Sequence, residues 1–176
     1  MNDPDLENEI LRIRPDPQIG SNRSNAHISY DSGTNKTVFS LSVKRKDSGQ
    51  LIFNTGQFSP FIFCNGFIEI TTLLPNDLIY GLGQSPSRSF KHNMTYPEDW
   101  SIFSKYNLNL TTNQSSWFSA QPFYMGWTND NNAYGVLLLN SYPLQLITNS
   151  RPSLTFRAIG GPLDFVSPLP LPLLLY

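Results

Sequence analysis

The chain has 176 residues and a formal net charge of −1, with no basic stripe, which argues against a nucleic-acid partner. Charged residues make up only 14% and aromatic residues 13%, a composition that argues against disorder and suits a β-rich domain with polar, uncharged loops. The length is that of one domain. One cysteine, Cys64, excludes an internal disulfide and a zinc cluster. Its apolar setting in FIFCNGF predicts a buried, inert thiol.

The first sixteen residues, MNDPDLENEILRIRPD, are acidic and polar, so they do not resemble a secretory signal. No apolar run approaches the ~20 residues that a membrane-spanning helix needs. Residues 1–30 are weakly patterned, and we expect them to be a leader that packs only in part. Asn-x-Ser/Thr triplets are slightly more frequent than chance gives and are compatible with a secretory ancestry; they begin at Asn22, Asn35, Asn93, Asn109 and Asn113.

Strand signals begin after residue 30. KTVFSLSV places Phe39, Leu41 and Val43 on one face of a strand, and QLIFN and GFIEITT follow as further strands on either side of TGQFSP. No ten-residue stretch shows apolar residues at helical spacing. The sequence therefore predicts an all-β domain.

The middle of the chain is less regular. GLG at 81–83 lacks the later glycine and the helix of a phosphate loop, and we interpret it as a close-packed turn. Residues 83–116 are polar and irregular, and a loop of that length is usually functional or disordered. Trp100 and Trp117 bracket its second half and favour the ordered, functional alternative. Aromatic residues cluster there and just beyond, where they suit either a core or sugar rings: Trp100, Phe103, Tyr106, Trp117, Phe123, Tyr124 and Trp127.

Residues 133–159 predict a three-stranded meander. AYGVLLLN is short and continuously apolar, as expected of a strand buried on both faces. NSYP then turns the chain, LQLIT returns, and NSRP turns it again. SLTFRAI places Leu154, Phe156 and Ala158 on the inner face.

No catalytic constellation is found in the sequence. Glu98 and Asp99 are adjacent, so in an extended chain they point in opposite directions, and loop solvation is the expected role of both. His27 and His92 are expected to lie in polar loops without an evident partner. Asp164 is expected to make a structural hydrogen bond. We predict no metal site, no cofactor and no catalytic residue.

Four stretches, in order, resemble the N-terminal domain of glycoside hydrolase family 31, the α-glucosidase family that includes sucrase-isomaltase and maltase-glucoamylase. They are LPNDLIYGLGQ, QPFYMGW, AYGVLLLNS and PSLTFRAIGGPLDF, and the resemblance runs from about residue 36 to 165. It implies an all-β, galactose-mutarotase-like β-sandwich that packs against a catalytic (β/α)8 barrel, with the catalytic aspartates in the barrel.

The resemblance also implies a substrate-binding loop around DWSIFSKYNL, which in the family leans over the active-site mouth. The family pattern Trp-x-x-Phe-x-Arg-Asp is met by Trp100 and Phe103, whereas Lys105 replaces the arginine and Tyr106 the aspartate. A phenol cannot supply a carboxylate's acceptors, but it can stack on a sugar. We predict substrate binding by Tyr106, Lys105, Asn107 and Trp100. Two further departures are Gln84 for a glutamate and Gln121 for a histidine.

The predicted organisation is a leader at 1–30, the sandwich domain at 31–165, and a low-complexity tail at 166–176 (VSPLPLPLLLY) that departs from the family pattern. The resemblance implies a domain that supports the barrel of an α-glucosidase and meets an α-glucoside or oligosaccharide at the rim, with no activity alone. Two alternatives stay open: a free-standing carbohydrate-binding module, and a truncated product without function. Family members are lysosomal, secreted or on the cell surface, and the sequence leaves the compartment of this chain open.

Overall fold

The computed structural model describes residues 11–15, 26–31, 40–56, 61–83, 89–103 and 121–167. Thirteen strands and no helix are found in these ranges, which confirms the predicted all-β class. The strands are β1 (Leu11–Pro15), β2 (Ala26–Asp31), β3 (Ser40–Arg45), β4 (Leu51–Asn54), β5 (Ile62–Cys64), β6 (Phe67–Leu73), β7 (Ile79–Gly83), β8 (Glu98–Ile102), β9 (Gln121–Trp127), β10 (Ala133–Leu139), β11 (Leu144–Asn149), β12 (Ser153–Ala158) and β13 (Leu163–Ser167).

The strands form three sheets. The first has the order β1-β13-β10-β9-β7, the second β5-β6-β12-β11-β8, and the third β2-β3-β4. All pairings are antiparallel except that of β1 with β13, which is parallel. Two five-stranded sheets that share one core are a β-sandwich, as the resemblance implied.

The core lies between the first two sheets because every second side chain of their strands points inward. Tyr124 and Phe165 of the first sheet meet Phe156 of the second, with ring centroids 6.3 Å and 5.3 Å from that of Phe156. All three rings are almost fully buried. The inward positions predicted for β12, Leu154, Phe156 and Ala158, are therefore confirmed.

The third sheet packs against one side of the sandwich. Phe53 of β4 lies 5.1 Å, centroid to centroid, from Phe165. Leu41 and Val43 of β3 are buried, as their alternation predicted, and Phe39 lies outside the described residues. Arg45, at the end of β3, is 2% exposed and donates a hydrogen bond from Nη2 to the Ala133 carbonyl at 2.8 Å.

The predicted meander over residues 133–159 is wrong. β11 and β12 are neighbours in the second sheet, but β10 belongs to the first, where it pairs with β9 and β13. The turn after β10 therefore carries the chain from one sheet to the other. The Asn140 side chain holds this turn, because its amide donates to the Gly160 and Pro162 carbonyls while its oxygen accepts from the Tyr142 N–H.

Two further sequence predictions are corrected. The polar stretch after residue 83 contains a strand, β8, which pairs with β11 at the edge of the second sheet. Cys64 is exposed rather than buried. It lies on β5, the opposite edge strand of that sheet, whose three residues are all exposed. An apolar sequence context does not distinguish an edge strand from a central one.

Two strands fall within the predicted leader. β1 pairs with β13 in parallel, from Leu11 opposite Leu163 to Pro15 opposite Ser167, and β2 pairs with β3. The predicted domain boundaries at residues 30 and 165 stay predictions.

Candidate functional site

The predicted substrate-binding loop follows β8 in the sequence. Tyr106, Lys105 and Asn107 lie outside the described residues, so their role stays a prediction. Trp100 lies on β8, opposite Leu146 of β11, and is 3% exposed. Its Nε1–H donates to the Leu82 carbonyl at 3.3 Å. A direct sugar contact would require uncovering this ring, so the geometry of Trp100 favours support of the loop.

His92 packs against Trp100 at the base of this loop. Its ring stacks on that of Trp100, with centroids 4.9 Å apart and an interplanar angle of 9°. The ring is 2% exposed, and Nε2 lies 2.8 Å from the Gly81 carbonyl, to which it must donate because a carbonyl only accepts. His92 was expected to lie in a polar loop without a partner, and that expectation is wrong.

The electrostatic setting of His92 keeps the ring neutral. Burial lowers the pKa of His92 below its usual 6.5, although the hydrogen bond to Gly81 and the Glu98 carboxylate oppose the shift. Nδ1 is buried without a hydrogen-bond partner in the described part of the structure. A proton on Nδ1 would therefore place a charge where no acceptor meets it.

The carbonyls that hold Trp100 and His92 belong to a bulge in β7. The register between β7 and β9 shifts from Gly81 to Gly83, and Leu82 has a φ of 54°. Gly81 has a φ of +105°, and a Cβ there would lie 2.5 Å from the Phe123 carbonyl oxygen. The interpretation of GLG as closely packed holds, but the element is a bulged strand rather than a turn.

The outer face of the first sheet is apolar over β7, β9 and β10, and Asp164 of β13 lies opposite Leu139 on the same face. The register places Tyr80 and Phe123 beside Met125 and Leu137, with Leu139 and Trp127 at the ends of this surface. Met125 is 39% and Leu139 43% exposed, and the other four are half-buried. We call these six residues the apolar face. β10 was expected to be buried on both faces, but it is fully buried only on its inner face.

The outer face of the second sheet is polar. One row across the sheet consists of Glu69, Arg157, Gln145 and Ser101, and the next of Thr71, Thr155, Ile147 and Asp99. The Arg157 Nε–H donates to the Glu69 carboxylate, and Asp99 accepts from Gln145 Nε2 at 2.9 Å. We call this surface, with Ser153 and Asn149 of the following row, the polar face.

The described residues do not assemble a reaction centre. Glu98 and Asp99 are both exposed, as expected of solvated carboxylates, and Asp164 is buried in β13. Groups of three or more His, Cys, Asp or Glu side chains that could hold a metal ion are absent from the described ranges. Those ranges also contain no helix long and apolar enough to cross a membrane. The described residues present three surface features: a loop base, an apolar face and a polar face.

The sequence did not lead us to predict that His92 and Trp100 pack together beneath the predicted substrate loop. EDWSI alternates polar and apolar residues, with Trp100 and Ile102 on the buried side, so a strand could have been predicted there. Nothing local marks His92, because its partners are Gly81 of β7 and Trp100 of β8, whereas His92 lies between these strands.

Comparison with known proteins relates this all-β sandwich to enzymes that are much longer than the chain. The chain is 36% identical to rat intestinal sucrase-isomaltase over 141 residues, 77% of this chain and 7% of that protein. It is 35% identical to human probable maltase-glucoamylase 2 over 136 residues, 77% of this chain and 5% of that protein. With mouse lysosomal alpha-glucosidase the identity is 32%, over 75% of this chain and 14% of that protein.

The relatives with 32–36% identity are enzymes of glycoside hydrolase family 31, and the chain spans only a small part of their length. No family model matches it. A solved GH31 dextranase of Flavobacterium johnsoniae, a D412A mutant complexed with isomaltotriose, has the same fold. It shares 21% identity with a TM-score of 0.57, over 72% of this chain and 15% of the dextranase. The four sequence blocks that pointed to this family form β7, β9, β10, and β12 with β13.

Proposed function

We propose that this sandwich is the non-catalytic N-terminal domain of a family 31 α-glucosidase, where it supports the catalytic barrel and supplies part of the substrate rim. The single observation that carries the proposal is the identity with α-glucosidases over three quarters of the chain. The activity belongs to the assembled enzyme and consists of releasing terminal α-linked glucose. By the names of the relatives, the compartment is one that intestinal or lysosomal enzymes occupy.

The apolar face supports the docking part of this proposal. It brings two side chains about 40% exposed, Met125 and Leu139, together with four half-buried apolar ones on one sheet surface. Exposed apolar patches on a single domain mark surfaces that another domain or protein covers. Burying apolar area releases roughly 25 cal/mol per Å², so covering this surface with a partner would be favourable.

The rim part of the proposal rests on the loop base. Trp100 and His92 are buried together and are hydrogen-bonded to consecutive carbonyls of the β7 bulge. They hold β8, which precedes Lys105, Tyr106 and Asn107 in the sequence. A rigid base reduces the conformational entropy that a loop loses when it contacts a ligand. We infer that these three residues contact the α-glucoside and that Trp100 holds them in place.

Co-expression tests the docking. The chain is produced together with the polypeptide that follows the matched segment in rat sucrase-isomaltase, and the pair is analysed by size-exclusion chromatography. We expect one co-eluting complex, and release of glucose from maltose by that complex but not by this chain alone. Replacing Met125 and Leu139 together by glutamine should abolish co-elution.

The matched control is Ile62→Gln. Ile62 is as exposed as Met125, at 39%, but it lies on β5 of the second sheet, beside Glu69. This variant should co-elute like the unchanged chain. Absence of any complex, or equal loss of it in the control, would refute docking through the apolar face.

A further inference from the structure

A cavity of about 350 Å³ lies on the polar face of the second sheet, on the other side of the sandwich from the apolar face. Nine residues of β6, β11, β12 and the turn before β12 line it: Glu69, Thr71, Leu73, Ile147, Asn149, Arg151, Ser153, Thr155 and Arg157. Small-molecule sites occupy roughly 300–1,000 Å³, so this cavity has room for a compact ligand. Neither the loop base nor the proposed docking uses any of these residues.

The floor of the cavity is formed by small hydroxyl side chains. Thr71, Ser153 and Thr155 are 9%, 7% and 5% exposed, although they are on the outer surface of the sheet. The Thr71 and Thr155 hydroxyl oxygens lie 2.7 Å apart and share one hydrogen bond. Each hydroxyl can both donate and accept, so further hydrogen-bonding capacity remains on this floor.

Charged groups of both signs stand beside this floor. The Glu69 side chain is 11% exposed and accepts from Arg157 Nε–H, whereas the Arg157 side chain is 38% exposed. Arg157 Nη1 lies 3.4 Å from the Gln145 oxygen, a long contact that leaves N–H capacity on the guanidinium. The cavity therefore offers a carboxylate acceptor, guanidinium donors and hydroxyls in successive rows of one sheet surface.

This combination selects for a neutral ligand with many hydroxyls. The buried Glu69 carboxylate would repel an anion. Arg157 and Arg151 would repel a cation. A hydroxyl group donates to a carboxylate and accepts from a guanidinium at the same time. An apolar ligand would leave the polar floor unpaired, which costs free energy at each unsatisfied group.

We propose that this cavity binds a neutral polyhydroxylated small molecule, a monosaccharide unit, with its hydroxyl groups shared between the Glu69–Arg157 pair and the Thr71, Ser153 and Thr155 hydroxyls. It would give the sandwich a sugar contact of its own.

Titration of the full chain with glucose, followed by amide chemical shifts in nuclear magnetic resonance spectra, tests the proposal. We expect saturable shifts confined to β6, β11 and β12, with a dissociation constant in the millimolar range. Thr155→Val keeps the shape of the side chain but removes its hydroxyl, and it should weaken binding about tenfold, since one hydrogen bond is worth about that factor. Arg157→Lys keeps the charge but loses the planar fork, and it should weaken binding similarly.

Ser101→Ala is the matched control, because Ser101 is on the polar face next to Gln145 but outside the cavity. This variant should bind glucose like the unchanged chain. Absence of saturable shifts, shifts centred elsewhere, or equal binding by all three variants would overturn the proposal, as would binding of inorganic phosphate in place of glucose. The shift map of the unchanged chain decides the location even where a variant fails to fold. Docking is measured with a second polypeptide, so each proposal can fail without the other.

Discussion

Replacing Gly81 by alanine tests the close packing at the base of the predicted substrate loop. With φ at +105°, an alanine at this position costs about 1–2 kcal/mol in backbone strain. Its Cβ would also lie 2.5 Å from the Phe123 carbonyl oxygen and 3.1 Å from the Tyr124 Cα. Both are backbone atoms of β9 within the sheet, so they cannot move aside cheaply, and overpacking of this kind costs a further ~1–3 kcal/mol.

Gly49→Ala is the matched control. Gly49 has a φ of +68° but nothing within 4 Å of the added Cβ, so this variant carries the strain alone. We expect Gly81→Ala to lower the free energy of unfolding by about 1–3 kcal/mol more than Gly49→Ala does. For a chain of this size, each kilocalorie lowers the melting temperature by ~2–4 °C. Urea unfolding followed by tryptophan fluorescence measures the difference, and equal losses in the two variants would refute the steric argument.

Three further predictions concern buried and exposed groups. Because the folded state holds His92 at a lowered pKa, the unfolded chain binds more protons below about pH 6.5, so the free energy of unfolding should fall as the pH drops from there towards the folded pKa. His92→Phe should flatten this part of the profile in urea titrations, and an unchanged slope would contradict the assignment. Tyr134→Phe removes a buried hydroxyl that has no hydrogen-bond partner among the described residues, so it should raise the free energy of unfolding by about 1 kcal/mol in the same assay. Tyr96→Phe, at a residue 71% exposed, should leave that free energy unchanged, and a loss of stability in Tyr134→Phe would show that the hydroxyl is paired. Cys64 is exposed, so a thiol reagent should label it in the folded protein as fast as in urea, and labelling only after unfolding would place it in the core.

The fold class and most strands could be predicted from the sequence because period-two patterns are local. Leu154, Phe156 and Ala158 alternate with polar residues, and all three are buried. Pairing is not local, which is why the meander failed: β10 and β11 are adjacent in sequence, yet β10 pairs with β9 and β13. The choice depends on contacts such as that of Asn140 with Gly160, twenty residues away.

The candidate site could be predicted only in part for the same reason. The family resemblance indicated the loop after β8, but no local pattern in β8 shows that Trp100 stacks on His92. The bulge that holds both rings was visible as GLG, whose composition predicted close packing. Gly81 packs against Phe123 and Tyr124 of β9, about forty residues further along the chain, so the sequence alone could not show this contact.

The two outer faces of the sandwich follow from a difference in sequence between β10 and β12. In AYGVLLL the outward positions of β10 include Leu137 and Leu139, so the strand is apolar on both faces, whereas in SLTFRA the outward positions of β12 are Ser153, Thr155 and Arg157. An apolar run of this kind is usual where both faces of a strand are covered. Leu139 is nevertheless 43% exposed, so the pattern of β10 exceeds what the fold of this domain alone requires. The apolar outer positions of β10 are explained if another domain covers the first sheet. The outer positions of β12 are polar, so the second sheet can face solvent and a small ligand.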